Sequence, residues 1–361
     1  MKKIIYLLLL IPNLIFSQEQ NAGYNFDVNN FYGKIVKHSD NISHLINQSP
    51  EGVLISFNKK TFGKKSWESL FNYPDYGVSF QYQNNKNETL GDLYGLYAHY
   101  NFYFLKRNLM LRIAQGVAYN TNPYDAQTNP LNVAYGTNYM PATYFMLNYK
   151  KENIWNNLGL QAGLSFFHHS NANLRAPNTS TNTVAINVGA VYSFQKSEEN
   201  SYKKYADSVD FKEPLRYNLA FRTGFTESDA IGSGQFPFYV FSGYIDKRLS
   251  RKSAVQFGVD FFMMKYLEQS VRFIAAVNPE VSPETDYRKG GIFIGHELFI
   301  NNFTVETQFG YYAYRPLDYL DPVYQRLGLK YYFTKQISLG VGLKTHMAKA
   351  EAMEFSLGFR L

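Results

Sequence analysis

The chain contains no cysteine. That absence excludes a disulfide framework, a thiolate metal site, a cysteine nucleophile and a lipidated cysteine anchor. Long apolar runs are missing as well. After the N-terminus no stretch approaches the roughly 18 uncharged apolar residues of a membrane-spanning helix. Tryptophan is scarce, with 2 residues in 361. Charge of one sign is nowhere concentrated. The net charge is +7, but the Lys and Arg residues are scattered and form no nucleic-acid motif. Nucleic acid is therefore excluded as a partner, and the positive surplus suits anionic lipid headgroups or lipopolysaccharide phosphates.

What is abundant is tyrosine and phenylalanine, 31 and 30 residues respectively. At the N-terminus Lys2 and Lys3 precede an apolar run from Ile4 to Phe16, and Ser17 is a small residue before Gln18. This is the pattern of a secretory signal peptide, expected at residues 1–17. Residues 18–75 are polar and irregular, with a weak strand at Val53–Asn58, and read as a periplasmic or plug-like segment. From Tyr76 onward, alternating segments bounded by turn residues follow one another. Strands are expected to start near Tyr76, Leu90, Leu109, Asn138, Asn156, Val184, Leu215, Phe238, Ser253, Gly290, Phe303, Val323, Ile337 and Met353. The fold class is all-β: a transmembrane antiparallel β-barrel of about 14 strands, within a range of roughly 12–16, spanning residues 76–361 in a bacterial outer membrane. No internal repeat is visible.

Alternation gives each strand two faces. In Val255-Gln256-Phe257-Gly258-Val259-Asp260-Phe261 the odd positions are apolar. The final strand sets Met353, Phe355, Leu357, Phe359 and Leu361 against Glu354, Ser356, Gly358 and Arg360. Strand parity places short links at 106–108, 150–153, 249–252, 301–302 and 334–336 on the periplasmic side. The longer loops 122–137, 171–183, 227–236 and 266–287 fall on the outer side. The connection 196–214 breaks this scheme, being long where the links should be short.

The segment Phe166-Phe167-His168-His169-Ser170-Asn171-Ala172 carries the chemistry. Residues two apart on a strand share a face, so His168 and Ser170 point the same way. The same parity carries Leu158, Leu160, Ala162, Leu164 and Phe166, the apolar and hence lipid-facing side. A general base thus sits beside a hydroxyl nucleophile at the outer end of an outward-running strand. Asn182, across the next loop, has the same parity as Val184, Ile186 and Val188 and so faces the same side. Its side-chain oxygen can accept an imidazole N–H and hold the ring, without the full charge of a carboxylate.

The run His168-His169-Ser170-Asn171-Ala172-Asn173-Leu174-Arg175-Ala176-Pro177-Asn178 resembles the His-x-Ser-Asn-(Gly/Ala) … Pro-Asn signature of the lipid A 3-O-deacylases, the PagL family of acyloxyacyl hydrolases. That resemblance implies an esterase site on the outside of a β-barrel at the level of the outer leaflet. It makes His168 the base, Ser170 the nucleophile and Asn178 an oxyanion donor. The family places Glu where this chain has Asn182. The spacing is also similar to that of outer-membrane phospholipase A, whose Asn stands twelve residues after the Ser, as Asn182 does after Ser170. That enzyme uses calcium at a dimer interface; here no acidic cluster announces such a site, and Ala172 replaces its Gly. The resemblance is strongest over 158–194, and the chain is longer than the eight-stranded form of the family.

The expected activity is therefore removal of an ester-linked acyl chain from lipid A, with outer-membrane phospholipase A activity or a non-catalytic transport or structural barrel as alternatives. The expected partners are lipid A or lipopolysaccharide and outer-membrane lipids, with homodimerisation open; no cofactor or metal is expected. His296, Glu297, Glu306, His346, Lys349 and Glu351 read as lumen filling, and His38 and His99 as structural. Asp125, Glu227 and Asp229 read as solvated charges on outer loops. Gly232-Ser233-Gly234 lacks the strand–loop–helix setting of a phosphate loop and reads as a flexible loop.

Overall fold

A computed structural model describes residues 23–194, 202–204, 211–228, 230–318, 321–347 and 349–361. The expected signal peptide, most of the 196–214 connection, and Asp229 lie outside the described residues. Within them the chain is all-β, but it forms two closed barrels of eight antiparallel strands each rather than one ring of about 14. The first is built from β1 (Tyr24–Ile35), β2 (Glu51–Lys59), β3 (Asp75–Asn84), β4 (Leu93–Phe104), β5 (Leu109–Asn120), β6 (Tyr139–Trp155), β7 (Leu158–His169) and β8 (Thr181–Ser193). The second comprises β9 (Arg216–Glu227), β10 (Gln235–Arg248), β11 (Ser253–Met264), β12 (Lys289–Ile300), β13 (Phe303–Tyr314), β14 (Val323–Tyr332), β15 (Ile337–His346) and β16 (Lys349–Arg360). β1 closes on β8, and β16 closes on β9.

This split accounts for the connection that did not fit. An eight-stranded barrel starts and ends at the same end, so the chain leaves the first barrel where it enters the second. The long 196–214 connection is that passage. The fourteen expected strands correspond to β3–β16. Two further strands lie inside the segment 18–75 that was expected outside the barrel wall: β2, which contains the weak strand expected at Val53–Asn58, and β1. β1 carries Asn25, Asp27 and Asn29 on its lumen face, all buried, against Phe26, Val28 and Tyr32 outside. Polar residues in a strand need lumen partners on other strands, and a linear reading does not supply them. The turn expected at 150–153 stands instead at 156–157, because β6 continues to Trp155.

The partner that β1 requires is Arg112 on β5. Fully buried, it donates from Nη2 to Asp27 Oδ2 at 2.7 Å, from Nη1 to Ser56 Oγ at 2.6 Å, and from Nε to Asn101 Oδ1 at 2.7 Å. One guanidinium thus ties β5 to β1, β2 and β4. The second lumen is organised the same way. Arg326 Nε meets Glu354 Oε2 at 2.5 Å and its Nη1 meets Asp260 Oδ2 at 3.1 Å. Lys330 bridges Glu306 at 2.8 Å and Glu297 at 3.1 Å. His346 Nε2 lies 3.0 Å from Glu351, which also pairs with Lys344. Eight-stranded barrels have interiors just wide enough to be filled by side chains, and these networks fill them.

The outer faces are apolar. Leu96, Val117, Leu164, Ile186 and Val188 are exposed on the first barrel, and Leu219, Phe257, Ile294, Phe309 and Leu327 on the second. Tyr94, Tyr119, Tyr139, Tyr149 and Trp155 are exposed toward the strand ends of the first barrel. Among the described residues no helix is long and apolar enough to cross a membrane. The expected outer loop 266–287 begins as helix α2 (Lys265–Val277), the second helix after α1 (Ser66–Leu70). α2 buries Tyr266, Leu267 and Val271 at the mouth of the second barrel, and Tyr266 donates to Glu351 at 2.8 Å.

Removing one partner of a buried ion pair strands the other charge. Arg112→Ala is expected to destabilise the first barrel by about 3–5 kcal/mol, and Arg112→Met together with Asp27→Leu by less. Urea titration of the heat-modifiable band on gels checks this ordering.

Candidate active site

β7 and β8 are joined by the loop 170–180, and their register sets His168 directly opposite Asn182. Both side chains leave the barrel on its outer face. His168 Nδ1 lies 2.7 Å from Asn182 Oδ1. Because a carboxamide oxygen only accepts, Nδ1 carries the proton, and in the neutral ring Nε2 is left with its lone pair. The register row continues across the sheet through Thr143 on β6 to Gln115 on β5. Thr143 Oγ1 donates to Gln115 Oε1 at 2.6 Å, and Gln115 Nε2 donates to the Ala142 carbonyl at 3.1 Å. A polar stripe of four residues, Gln115, Thr143, His168 and Asn182, thus crosses an otherwise apolar surface.

Ser170 follows β7 by one residue and is 6% exposed. Its hydroxyl donates to Asn178 Oδ1 at 3.1 Å, and the Ala172 N–H donates to Ser170 Oγ at 3.2 Å. No hydrogen bond joins Ser170 to His168 in this arrangement. The backbone N–H of Asn171 also donates to Asn178 Oδ1, at 2.9 Å. Two donors therefore converge on that oxygen, which orients the Asn178 amide and leaves its NH2 group without a partner among the described residues. The four residues singled out from the sequence thus form two hydrogen-bonded pairs, His168–Asn182 and Ser170–Asn178, on adjoining turns of one strand end. Neighbouring His169 points the other way, into the lumen near Tyr97 and Gln81.

The loop itself is held tightly. Ala172 and Asn173 adopt φ of +55° and +63°, the left-handed region that turns the chain back after Ser170. Asn171 Nδ2 donates to the Arg175 carbonyl at 2.6 Å. The β5–β6 loop packs behind it: Thr179 N–H reaches the Val133 carbonyl and Ser180 N–H the Ala134 carbonyl, each at 3.1 Å. Gly136 lies so close that an added Cβ would sit 2.6 Å from the Arg175 carbonyl oxygen and 2.8 Å from that of Pro177.

Of the loop acids read as solvated, Asp125 is exposed as expected, whereas Glu227 is buried. Asp125 Oδ1 accepts from the N–H groups of Gln127 and Thr128, which hold its carboxyl below the usual carboxylate range and shape its own turn. Glu227, at the end of β9 in the second barrel, is 3% exposed and accepts at Oε2 from the Ala176 N–H at 2.8 Å. The sequence carries no sign of this role because the partners are backbone amides, Ala176 of the first barrel and Gly234 of the second. Among the described residues no group of three or more His, Asp or Glu side chains converges as a metal site.

Residues 51–191 match the family described as lipid A 3-O-deacylase (PagL), and residues 215–361 match the one described as acyloxyacyl hydrolase, C-terminal domain. The two matches fall one on each barrel. No curated protein matches the chain. Among solved structures, the outer membrane protein Omp33 of Acinetobacter baumannii is 8% identical, with 94% of this chain and 99% of that one covered and a TM-score of 0.20. A mutant porin of Rh. blastica is 10% identical, with 94% and 100% covered and a TM-score of 0.21.

Gly136→Ala is expected to displace the Arg175–Pro177 backbone at a cost of about 1–3 kcal/mol. The measurable result is faster trypsin cleavage after Arg175, with the heat-modifiable barrel retained.

Proposed function

Because the chain belongs to the family of lipid A 3-O-deacylases and acyloxyacyl hydrolases, we propose that it is an outer-membrane esterase that removes an ester-linked acyl chain from lipid A by a Ser-His mechanism at the outer leaflet. The observation that carries this reading is the 2.7 Å His168–Asn182 hydrogen bond on the outer barrel face beside Ser170. It fixes the tautomer that leaves Nε2 free to take a proton. The lipid-facing address supports an acyl substrate, since an ester at the headgroup boundary meets the barrel at its rim.

The chemistry needs one local adjustment. Ser170 turns about its Cα–Cβ bond from Asn178 toward His168 Nε2. His168 takes the hydroxyl proton as Oγ attacks the ester carbonyl, giving a tetrahedral intermediate. The unpartnered Asn178 NH2 group and the Ala172 N–H are the donors placed to hold its oxyanion. Collapse breaks the bond to the sugar oxygen, which leaves with the proton from imidazolium. Water, deprotonated by His168, then releases the fatty acid and restores Ser170. Asn182 orients the ring through its oxygen, and its neutral amide stabilises imidazolium less than the carboxylate found in the family would.

Phospholipase A activity is the second reading, favoured by the Asn182 spacing and hydrogen bond. Parallel assays on lipid A and phospholipid, with and without calcium, separate the two.

Ser170→Ala is expected to abolish fatty-acid release from purified lipid A while the barrel stays heat-modifiable; unchanged release would sink the mechanism. Asn178→Ala should lower kcat by about 10²–10³. Asn182→Ala should lower it by about 10²–10⁴ through loss of an oriented base, and Asn182→Glu should retain or exceed the original rate.

A further inference from the structure

The mechanism makes no use of the second barrel, yet one of its buried carboxylates reaches the catalytic loop. Glu227 Oε2 accepts from Ala176 N–H at 2.8 Å, and its Oε1 accepts from Gly234 N–H at 3.1 Å. Its backbone pairs reciprocally with Asn173: the Glu227 N–H donates to the Asn173 carbonyl at 3.0 Å, and Asn173 Nδ2 donates to the Glu227 carbonyl at 2.9 Å. Thr226 Oγ1 adds a bond to the same Asn173 carbonyl at 3.1 Å. These contacts bracket residues 173–176, the stretch between Ser170 and Asn178.

We propose that Glu227 is a positioning residue: the second barrel clamps the 171–178 loop so that Asn178 stays against Ser170. This rests on the esterase reading above. The physical case is that this loop contains two consecutive left-handed residues, Ala172 and Asn173, a conformation side chains disfavour and that external bonds must maintain. A carboxylate is the side chain suited to the task. It is acceptor-only and takes one amide proton from each barrel at once. Among the described residues Glu227 has no cationic partner, so backbone amides alone satisfy it. Glutamine keeps one acceptor oxygen but turns an N–H toward the other amide, so it preserves half of the clamp.

The test uses the full chain in detergent with three variants: Glu227→Ala, Glu227→Gln and Asn173→Gly. The last removes a clamp bond while keeping a backbone that tolerates positive φ, and it serves if Glu227→Ala fails to fold. Two readings are taken. Trypsin cleavage after Arg175, an exposed residue of the loop, reports clamping whether or not the protein is an esterase. It should quicken by about tenfold or more in Glu227→Ala, as expected for losing charge-assisted hydrogen bonds. Fatty-acid release from lipid A should show kcat lowered by about 10²-fold with KM little changed, as misplaced catalytic groups do, and Glu227→Gln should fall between. Unchanged cleavage in folded Glu227→Ala would overturn the clamp. Faster cleavage with unchanged kcat would overturn its role in positioning. If the unaltered protein releases no fatty acid, the esterase reading and the catalytic role fall together, while the cleavage result still decides the clamp.

Discussion

The buried ion pair between Arg112 and Asp27 is the contact on which the site depends. A barrel has no edges only if its first strand meets its last, and here the first strand carries an aspartate into the lumen. Arg112 neutralises it and at the same time holds Ser56 and Asn101. With β1 secured, β8 is paired on both sides, and Val36 just beyond β1 donates to the backbone carbonyl of Asn182 at 2.7 Å. The residue that orients His168 is therefore fixed from one side by barrel closure and from the other by strand register.

Two rings of eight rather than one larger ring change the account of function. A single wide barrel would leave room for a channel. Two narrow barrels whose lumens are packed with salt bridges leave the outer surfaces and the loop ends as the places where a ligand can act. The site sits where the outer apolar face of the first barrel meets a loop braced by its own β5–β6 loop and by β9 of the second. The added length relative to a single eight-stranded form thus has a structural use at the site.

Much of this was legible in the sequence, for identifiable reasons. The period-2 alternation of β3–β16 is a local property, and so is the shared parity of His168 and Asn182, which the register sets opposite each other; Ser170 lies beyond the end of β7, where strand parity no longer applies. β1 escaped notice because Asn25, Asp27 and Asn29 resemble a polar loop until Arg112, 85 positions from Asp27, is placed opposite them. The division into two barrels leaves no mark on alternation, which is the same for one ring or two. Its sole trace was the over-long connection 196–214. Glu227 could not be read as a clamp because its proton donors are backbone amides, which every residue but proline carries and which sequence therefore does not distinguish.

The central claim is that an acyl ester of lipid A is cleaved at Ser170 on the outer face of the first barrel. Mass spectrometry of lipid A from cells with the protein, without it, and with Ser170→Ala tests it most directly. The account predicts loss of one hydroxyacyl mass only in cells carrying the unaltered protein. Identical lipid A spectra from all three would contradict it.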